Sequence, residues 1–561
     1  MDEANIKDIS IERTVLLVEI ILLKEQVINA VFFENEKSEI IILNDRNWKQ
    51  INQIIKIEFS LVNGPTGLKY FQSGSWEIGL LTLDENVIPV KNNKTYISEK
   101  TVFERKKELK IETNRVPEFR MYNSYDCLFM KNFYKTVNQY YAIALVSEKN
   151  TGKFLIVIVD KNNKINNKVN FKIIIPNIKH NIKNMLEHAV FFIIKKIIPL
   201  KKNRILFTSN SRELLSGNLK FIYEELVSRD IKEYWDVKVI LKGTHSKKRT
   251  LVEKLIFPYF AATSKKIIID DYNPEIMKFN YKKRQEIIQV WHATGAFKTV
   301  GFSRLGLPGG PKINDKTHRK YSAVIVNSEQ DIPYYSEAFG VPENKVVVTG
   351  IPRNDVFFND NYATKVLHKL KVYFPEIIGK DKVITFAPTF RGHGKKTAHY
   401  PYEYINVSEM GEFARETNSV ILIKMHPFIK EKISIPEKYK EYIVDASKYR
   451  EINDFLFITD ILITDYSSVI YEYSLFEKQM IFYAFDYEEY SENRDFYLPY
   501  KKAVPGEIVY TFKDLMKILR SQHYDSEKIS RFKHENYQFV DSYASRRVVT
   551  ELIMKDTTDL A

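Results

Sequence analysis

Five short segments hold residues whose types and spacing can do chemistry. In Gln289–Gly295 (QVWHATG) an apolar run ends in a polar turn with His292 at its tip. Histidine titrates near neutrality and can take a proton from an attacking hydroxyl. Thr294 and Gly295 add donors for a phosphate. In Gly350–Asp355 (GIPRND), Arg353 leaves a strand through a Gly/Pro turn, and arginine suits bidentate phosphate binding. In Phe386–Gly394 (FAPTFRGHG) a Gly-rich basic loop follows a strand, so backbone amides and Arg391 can surround an anion. Ile423–Pro427 (IKMHP) carries a second strand-end histidine, His426, beside Lys424. In Thr464–Glu472 (TDYSSVIYE) a strand enters a helix through Ser467 and Ser468, a seat for a diphosphate at a helix start. Each segment also has a plain reading: a structural histidine, a capped helix start, an ordinary N-cap. What raises them above it is that all five fall at the same kind of place.

That place is the carboxyl end of a short buried strand. From Arg204 onward apolar runs alternate with helical stretches. Arg204–Ser209, Val237–Leu241, Lys266–Ile269 and Ile287–Trp291 form one series. Ala323–Val326, Val346–Thr349, Val383–Ala387, Val420–Met425, Ile461–Thr464 and Met480–Tyr483 form a second. Such alternation predicts parallel sheets, here two doubly wound domains facing a cleft, with ligands beyond the strand ends. Residues 1–165 read differently. Short apolar stretches at Val15–Ile21, Val27–Phe33, Ile40–Leu43, Ile54–Val62 and Trp76–Leu83 are separated by turns, which predicts a β-sandwich-like accessory module without a catalytic constellation. Between them, Ile178–Arg204 mixes lysines (Lys179, Lys183, Lys195, Lys196, Lys201, Lys202) with Phe191, Phe192, Ile193, Ile194, Ile197 and Ile198. It reads either as a basic amphipathic segment for an anionic membrane surface or as a buried helix with a basic rim. The expected division is 1–165, 166–204, 205–350 and 351–561.

Composition narrows the class. The 561 residues are 44% hydrophobic and 28% charged, which predicts a globular chain of several domains. Cys127 is the one cysteine, which excludes an intrachain disulfide framework and a cysteine-based zinc site. The start, Met1-Asp2-Glu3-Ala4-Asn5, lacks a basic region followed by an apolar core, so no signal peptide is expected. No apolar run reaches the roughly 18 residues that span a bilayer. With 85 Lys and Arg against 71 Asp and Glu, the formal charge is +14, which favours polyanionic partners: nucleic acid, anionic lipid or a phosphate polymer.

Taken together and in this order, WHATG, GIPRND, APTFRG, KMHP and DYSSVIYE resemble the CDP-glycerol glycerophosphotransferase family of teichoic-acid enzymes. Phe482–Asp486 and Val504–Val509 also match, and the resemblance covers roughly residues 204–545. It implies an α/β fold with a GT-B-type pair of doubly wound domains behind the β-rich N-terminal module. It implies attack on the polyol-bearing phosphate of a CDP donor, with CMP leaving. By the same resemblance His292 is the general base and His426 the diphosphate-binding partner. Trp291, Ala293, Thr294, Gly295, Arg353, Pro388, Thr389, Lys424, Met425, Ser467, Ser468 and Glu472 would hold the donor. Lys298 and Arg391 are added from the residues as further phosphate contacts.

QVWHATGAFK, GFSR (Gly301–Arg304), SEQDIPY (Ser328–Tyr334) and TAHYPY (Thr397–Tyr402) look most like the ribitol-phosphate polymerase branch. The chain departs from the family pattern at Ala293-Thr294-Gly295, where Gly then Thr-Pro is common, and at Glu472, commonly Asp. The implied partners are CDP-ribitol or CDP-glycerol, a lipid-linked teichoic-acid acceptor and an anionic membrane surface, on the cytoplasmic face. No cofactor is expected beyond an auxiliary Mg²⁺, for which Asp270-Asp271 is the weak candidate. A glycerol-phosphate primase or polymerase, a sugar transferase on the same scaffold, a non-catalytic polymer- or lipid-binding protein and a nucleic-acid binder are the alternatives. The last is disfavoured because no nucleic-acid module is visible.

Overall fold

The computed structural model describes residues 4–92, 125–135, 139–148, 150–162, 187–229, 235–243, 249–316, 318–392, 396–521 and 524–555. Most of the expected membrane segment before residue 187, and His393–Gly394, lie outside them.

Among the described residues, eleven strands between Ala4 and Asn162 join into one largely antiparallel sheet. Parallel pairing of Ala4 with Val90 and Asn5 with Lys91 links the two halves into one network. Alternating burial along Val15–Leu22 and Ile28–Asn35 turns one face onto a single core around Phe33, Phe59, Phe71 and Trp76. That core also takes Phe302, Leu305 and Ile313 from far down the chain.

The remainder is α/β. Numbering the parallel strands from the first, β1 (Lys201–Ser209), β2 (Asp236–Leu241), β3 (Ser264–Ile269), β4 (Glu286–Gln289), β5 (Ala323–Val326) and β6 (Val346–Val348) form a sheet in the order β2-β1-β3-β4-β5-β6. The second sheet runs β9-β8-β7-β10-β11-β12, from β7 (Lys382–Phe386), β8 (Ser419–Ile423), β9 (Ile443–Asp445), β10 (Ile461–Thr464), β11 (Gln479–Tyr483) and β12 (Glu507–Val509). β5, β8 and β10 are buried throughout and dominated by Ile, Val and Leu, as strands covered on both faces must be. In the second sheet all strands run parallel and the strand order reverses between β7 and β10. The loops after these two strands therefore diverge to opposite sides and leave a crevice between them.

Two assignments shift. Lys201 to Arg204, expected in the membrane segment, belong to β1. The C-terminal stretch, expected with the second half, crosses back: Val548, Val549 and Ile553 pack into the core beneath the first sheet, and Lys266 Nζ donates to the Leu552 carbonyl at 2.8 Å. A helix α1 over residues 187–197 packs on the first half, where Phe191 stacks on Phe279 at 4.3 Å. Among the described residues no helix is long and apolar enough to cross a membrane.

Candidate active site

His292 stands just beyond β4, and the β3–β4 register, Ile269 opposite Gln289, brings Asp270 beside it. The turn is held open by unusual backbone. Trp291 sits at φ +36°, a left-handed conformation that costs energy for a bulky residue. Its surroundings enforce it. Gln289 Oε1 accepts from Trp291 N at 2.9 Å, and Phe339 meets the indole edge-on at 5.1 Å. Asn218, on helix α2 (Gly217–Ser228), donates to the carbonyls of Val290 (2.7 Å) and Trp291 (2.8 Å). The imidazole of His292 places Nδ1 3.3 Å from the Asp270 carbonyl and 4.0 Å from the Asp271 carboxylate. A carbonyl only accepts, so Nδ1 carries the proton and Nε2 keeps a lone pair toward the cleft. The Asp270 carboxylate is buried and paired with Arg212, which fixes that carbonyl rather than offering a cation ligand.

His426, two residues past Lys424 at the end of β8, has the opposite tautomer. Phe428 N donates to its Nδ1 at 3.2 Å, so the neutral ring holds its proton on Nε2. Phe390 and Phe428 flank it, each with ring centroids 4.7 Å away. Burial, reinforced by Lys298 and Lys424, pushes its pKa down to about 4. It is a neutral N–H donor at physiological pH. Lys424 is itself buried, which lowers its own pKa. Met425 is buried under it, its amide bound to Ser447 Oγ at 3.1 Å.

The loops after β7 and β10 are joined at the base of that crevice before they part. Asp465 Oδ1 accepts from Thr389 N (2.8 Å) and Thr389 Oγ1 (2.9 Å), behind the buried Pro388. Arg391, expected as a phosphate contact, is committed elsewhere. Its guanidinium binds Asp465 at 2.8 Å and both oxygens of Asp486, among the rings of Tyr400, Tyr466, Phe485 and Tyr490. Burial opposes its charge, but the two carboxylates outweigh it and hold the pKa above the usual value. Arg391 thus shapes the crevice instead of lining it. Ser467 and Ser468 are partly exposed at its floor. The helix they open, Val469–Ser474, has only six residues, so its dipole adds little and the hydroxyls and turn amides matter more.

Glu472, expected to touch the donor, is 1% exposed. Its Oε1 accepts from Thr294 Oγ1 at 2.6 Å and from the Arg353 guanidinium, tying the His292 loop to the second sheet. Arg353 N donates to Asn218 Oδ1 at 3.0 Å, so Asn218 joins both pieces. Gly295 lies so close to Tyr471 that an added Cβ would sit 2.2 Å from its ring. Next to it, Ala293 is partly buried, and Ala296 N donates to Asp331 Oδ1 at 3.0 Å. Burial pushes the Asp331 carboxyl up to about 7. Lys298 reaches Tyr490 Oη at 3.5 Å. The roles of Asn218 and Asp331 escaped the sequence reading, while Asp270 entered it only as a weak cation candidate and Asp465 only as part of the Thr464–Glu472 segment. The signal for Asp270 and Asp465 was position, since each directly follows a strand end.

The sequence profile described as CDP-Glycerol:Poly(glycerophosphate) glycerophosphotransferase matches residues 190–554. The chain is 47% identical over 362 residues to the teichoic acid ribitol-phosphate polymerase TarL of Staphylococcus aureus, covering 64% of each. It is 46% identical over 365 residues to the polymerase TarK of the same species, covering 65% of this chain and 71% of that one. To the teichoic acid poly(ribitol-phosphate) polymerase of Bacillus spizizenii it is 42% identical over 358 residues, spanning 57% of that protein. The solved structure of the wall teichoic acid polymerase TagF aligns with a TM-score of 0.55 at 23% identity, over 69% of this chain and 96% of that one, which supports the α/β fold.

Proposed function

The chain belongs to the CDP-glycerol:poly(glycerophosphate) glycerophosphotransferase family, and from that premise we propose that it transfers ribitol phosphate from CDP-ribitol to the end of a teichoic-acid chain. The two halves act as a GT-B-type pair, the first facing the acceptor and the second holding the donor. The observation that carries the reading is the opposite tautomers of the two histidines. The acceptor's terminal hydroxyl gives its proton to His292 Nε2 as its oxygen attacks the phosphorus that bears ribitol. The bond from that phosphorus to the CMP oxygen breaks, and CMP leaves with the electron pair. His426 Nε2–H, Lys424 and Lys298 offset the charge on the diphosphate and leaving phosphate. Ser467, Ser468 and Thr389 position the donor. The reaction is a phosphoryl transfer, in which placement and charge do most of the work. Ribitol is favoured by the likeness to the ribitol-phosphate polymerases.

The same reading includes a peripheral site on an anionic bilayer at the cytoplasmic face. Phe192, Ile193 and Ile197 of α1 are exposed, as are Leu251, Val252, Leu255 and Ile256 of the neighbouring helix α3 (Leu251–Thr263). A groove of about 520 Å³ between the helices is lined by Val190, Ile194, Leu255, Ile256, Tyr259 and Phe260. Lys196, Lys201 and Lys202 are exposed near it, whereas Lys195 is spent on the Asn280 carbonyl at 2.7 Å. An apolar surface rimmed by lysines fits lipid tails and anionic headgroups. The eleven-stranded module is an accessory domain that supports the acceptor half.

The deciding experiment incubates the full chain with a teichoic-acid acceptor and either CDP-ribitol or CDP-glycerol, reading CMP. CDP-ribitol should win. Equal use would remove the ribitol assignment, and no CMP from either would remove the reaction.

A further inference from the structure

Most cations near the cleft are spent on carboxylates, as Arg212, Arg353 and Arg391 are. Two at the rim are not. Arg304 donates to the Pro308 carbonyl at 3.0 Å, and Arg494 lies over the Phe390 ring at 5.8 Å; among the described residues neither forms an ion pair. They come from opposite halves and are brought together by strand-like pairing. Lys298 bridges Phe496, and Thr299 N donates to the Asp495 carbonyl at 3.0 Å. Burial and the charge of Arg494 lower the pKa of the Arg304 guanidinium, which Asp495 only partly offsets. The paired segments thus bring the two arginines to the same rim, with Asp495 offsetting part of their like charge. Phe390, beneath Arg494, is also the ring that flanks His426. On the other side, the Arg304 turn continues into Leu305 and Gly306, which pack on the accessory domain.

We propose that Arg304 and Arg494 form a phosphodiester subsite beyond the donor pocket, holding a backbone phosphate of the acceptor polymer as its terminal hydroxyl reaches His292. This rests on the transfer reaction proposed above and adds to it. A polyol-phosphate chain presents a regularly spaced anion behind its reactive end, and a guanidinium pair is the group best matched to one such anion. Phe390 packs against both Arg494 and His426, and the Arg304 turn runs on to the accessory domain, so the pair would adjoin the site of transfer from the acceptor's side. Length discrimination follows. An acceptor with several phosphates can set one of them at the pair while its terminal hydroxyl reaches His292, whereas one with a single phosphate has no second anion behind its reactive end to do so.

The test uses the full chain and synthetic ribitol-phosphate oligomers carrying one to six phosphates. Binding of a labelled oligomer without donor is measured by anisotropy, alongside acceptor and donor KM. R304Q and R494Q should each weaken six-phosphate binding about tenfold, flatten the KM advantage of long acceptors and leave the KM for CDP-ribitol within about twofold, as loss of one charge-assisted contact predicts. R304K and R494K should recover part of the loss. Unchanged length discrimination in variants with the parent's circular dichroism and thermal midpoint overturns the proposal, and so does an equal rise in donor KM. If the variants instead lose binding to phosphatidylglycerol vesicles and keep oligomer binding, the phosphodiester is a lipid headgroup and the proposal is wrong. If the parent releases no CMP yet the variants lose oligomer binding, the subsite stands and the transfer reaction falls.

Discussion

At the scale of single residues, the hydrogen bonds to the two imidazoles assign them different work. His292 keeps a lone pair toward the cleft because a carbonyl holds its other nitrogen. His426 keeps a proton there because an amide donates to its other nitrogen. His292→Ala should lower turnover by at least about 10²-fold, the usual range for a proton-transfer group, measured as CMP release. His426→Gln, which retains an N–H donor, should keep more activity than His426→Ala. The histidine's pKa of about 4 also has a sign. Folded His426 binds fewer protons than the free group at 6.5, so its share of stability is full above 6.5 and lost as pH falls toward 4. The parent should therefore lose more stability than His426→Gln between pH 6.5 and 4.5 in denaturant melts. The opposite order would mean that the ring is not buried as described. Histidines after apolar runs were visible in the sequence. Their tautomers were not, because Asp270 reaches His292 only through sheet register.

At the scale of elements, loops from one sheet are clamped onto a helix of the other. Thr294, Arg353 and Glu472 form the clamp, with Glu472 178 residues from Thr294. Thr294→Val leaves a buried carboxylate short of a donor and should cost about 1–3 kcal/mol in denaturant melts. Glu472→Asp should depress activity with both CDP donors alike, since the carboxylate serves the clamp. A selective change with one donor would show that it reaches the polyol. Gly295→Ala should be worse than an ordinary glycine replacement, because Tyr471 already occupies the Cβ position. The strands that present these loops were legible as short apolar runs, and Ala323–Val326 and Ile461–Thr464 have the bounds that the pattern predicts. The short strands Ile443–Asp445 and Glu507–Val509 went unread. Three residues of mixed type give too little pattern to separate from a loop, whereas the equally short Val346–Val348 was legible because all three are valine. Arg391 shows the same limit, since a basic residue in a Gly-rich loop has one appearance whether it meets a phosphate or two aspartates.

At the scale of the molecule, the accessory domain touches both halves. Thr14 Oγ1 donates to Glu337 Oε2 of the first half at 2.7 Å, and Arg13 donates to the Phe496 and Tyr497 carbonyls of the second at 3.1 and 2.8 Å. Changing Lys196, Lys201 and Lys202 together to Gln should weaken binding to anionic vesicles by roughly 1 kcal/mol per lysine, read by co-sedimentation. Undiminished sedimentation would assign α1 to the fold alone. Deleting residues 1–165 should yield an aggregating protein, because Phe302, Leu305 and Ile313 lose their cover, about 2 kcal/mol for each side chain. A soluble truncated chain with the parent's thermal midpoint would refute that dependence. The same insertion orders events on the ribosome. The N-terminal sheet emerges first, but the residues that complete its interior follow some 150 positions later, a wait of roughly 8–30 s at ordinary elongation speeds. During that interval the nascent sheet carries an open apolar face. Its maturation is therefore a joint event with the first parallel sheet, and the two cannot be exchanged between proteins as independent modules.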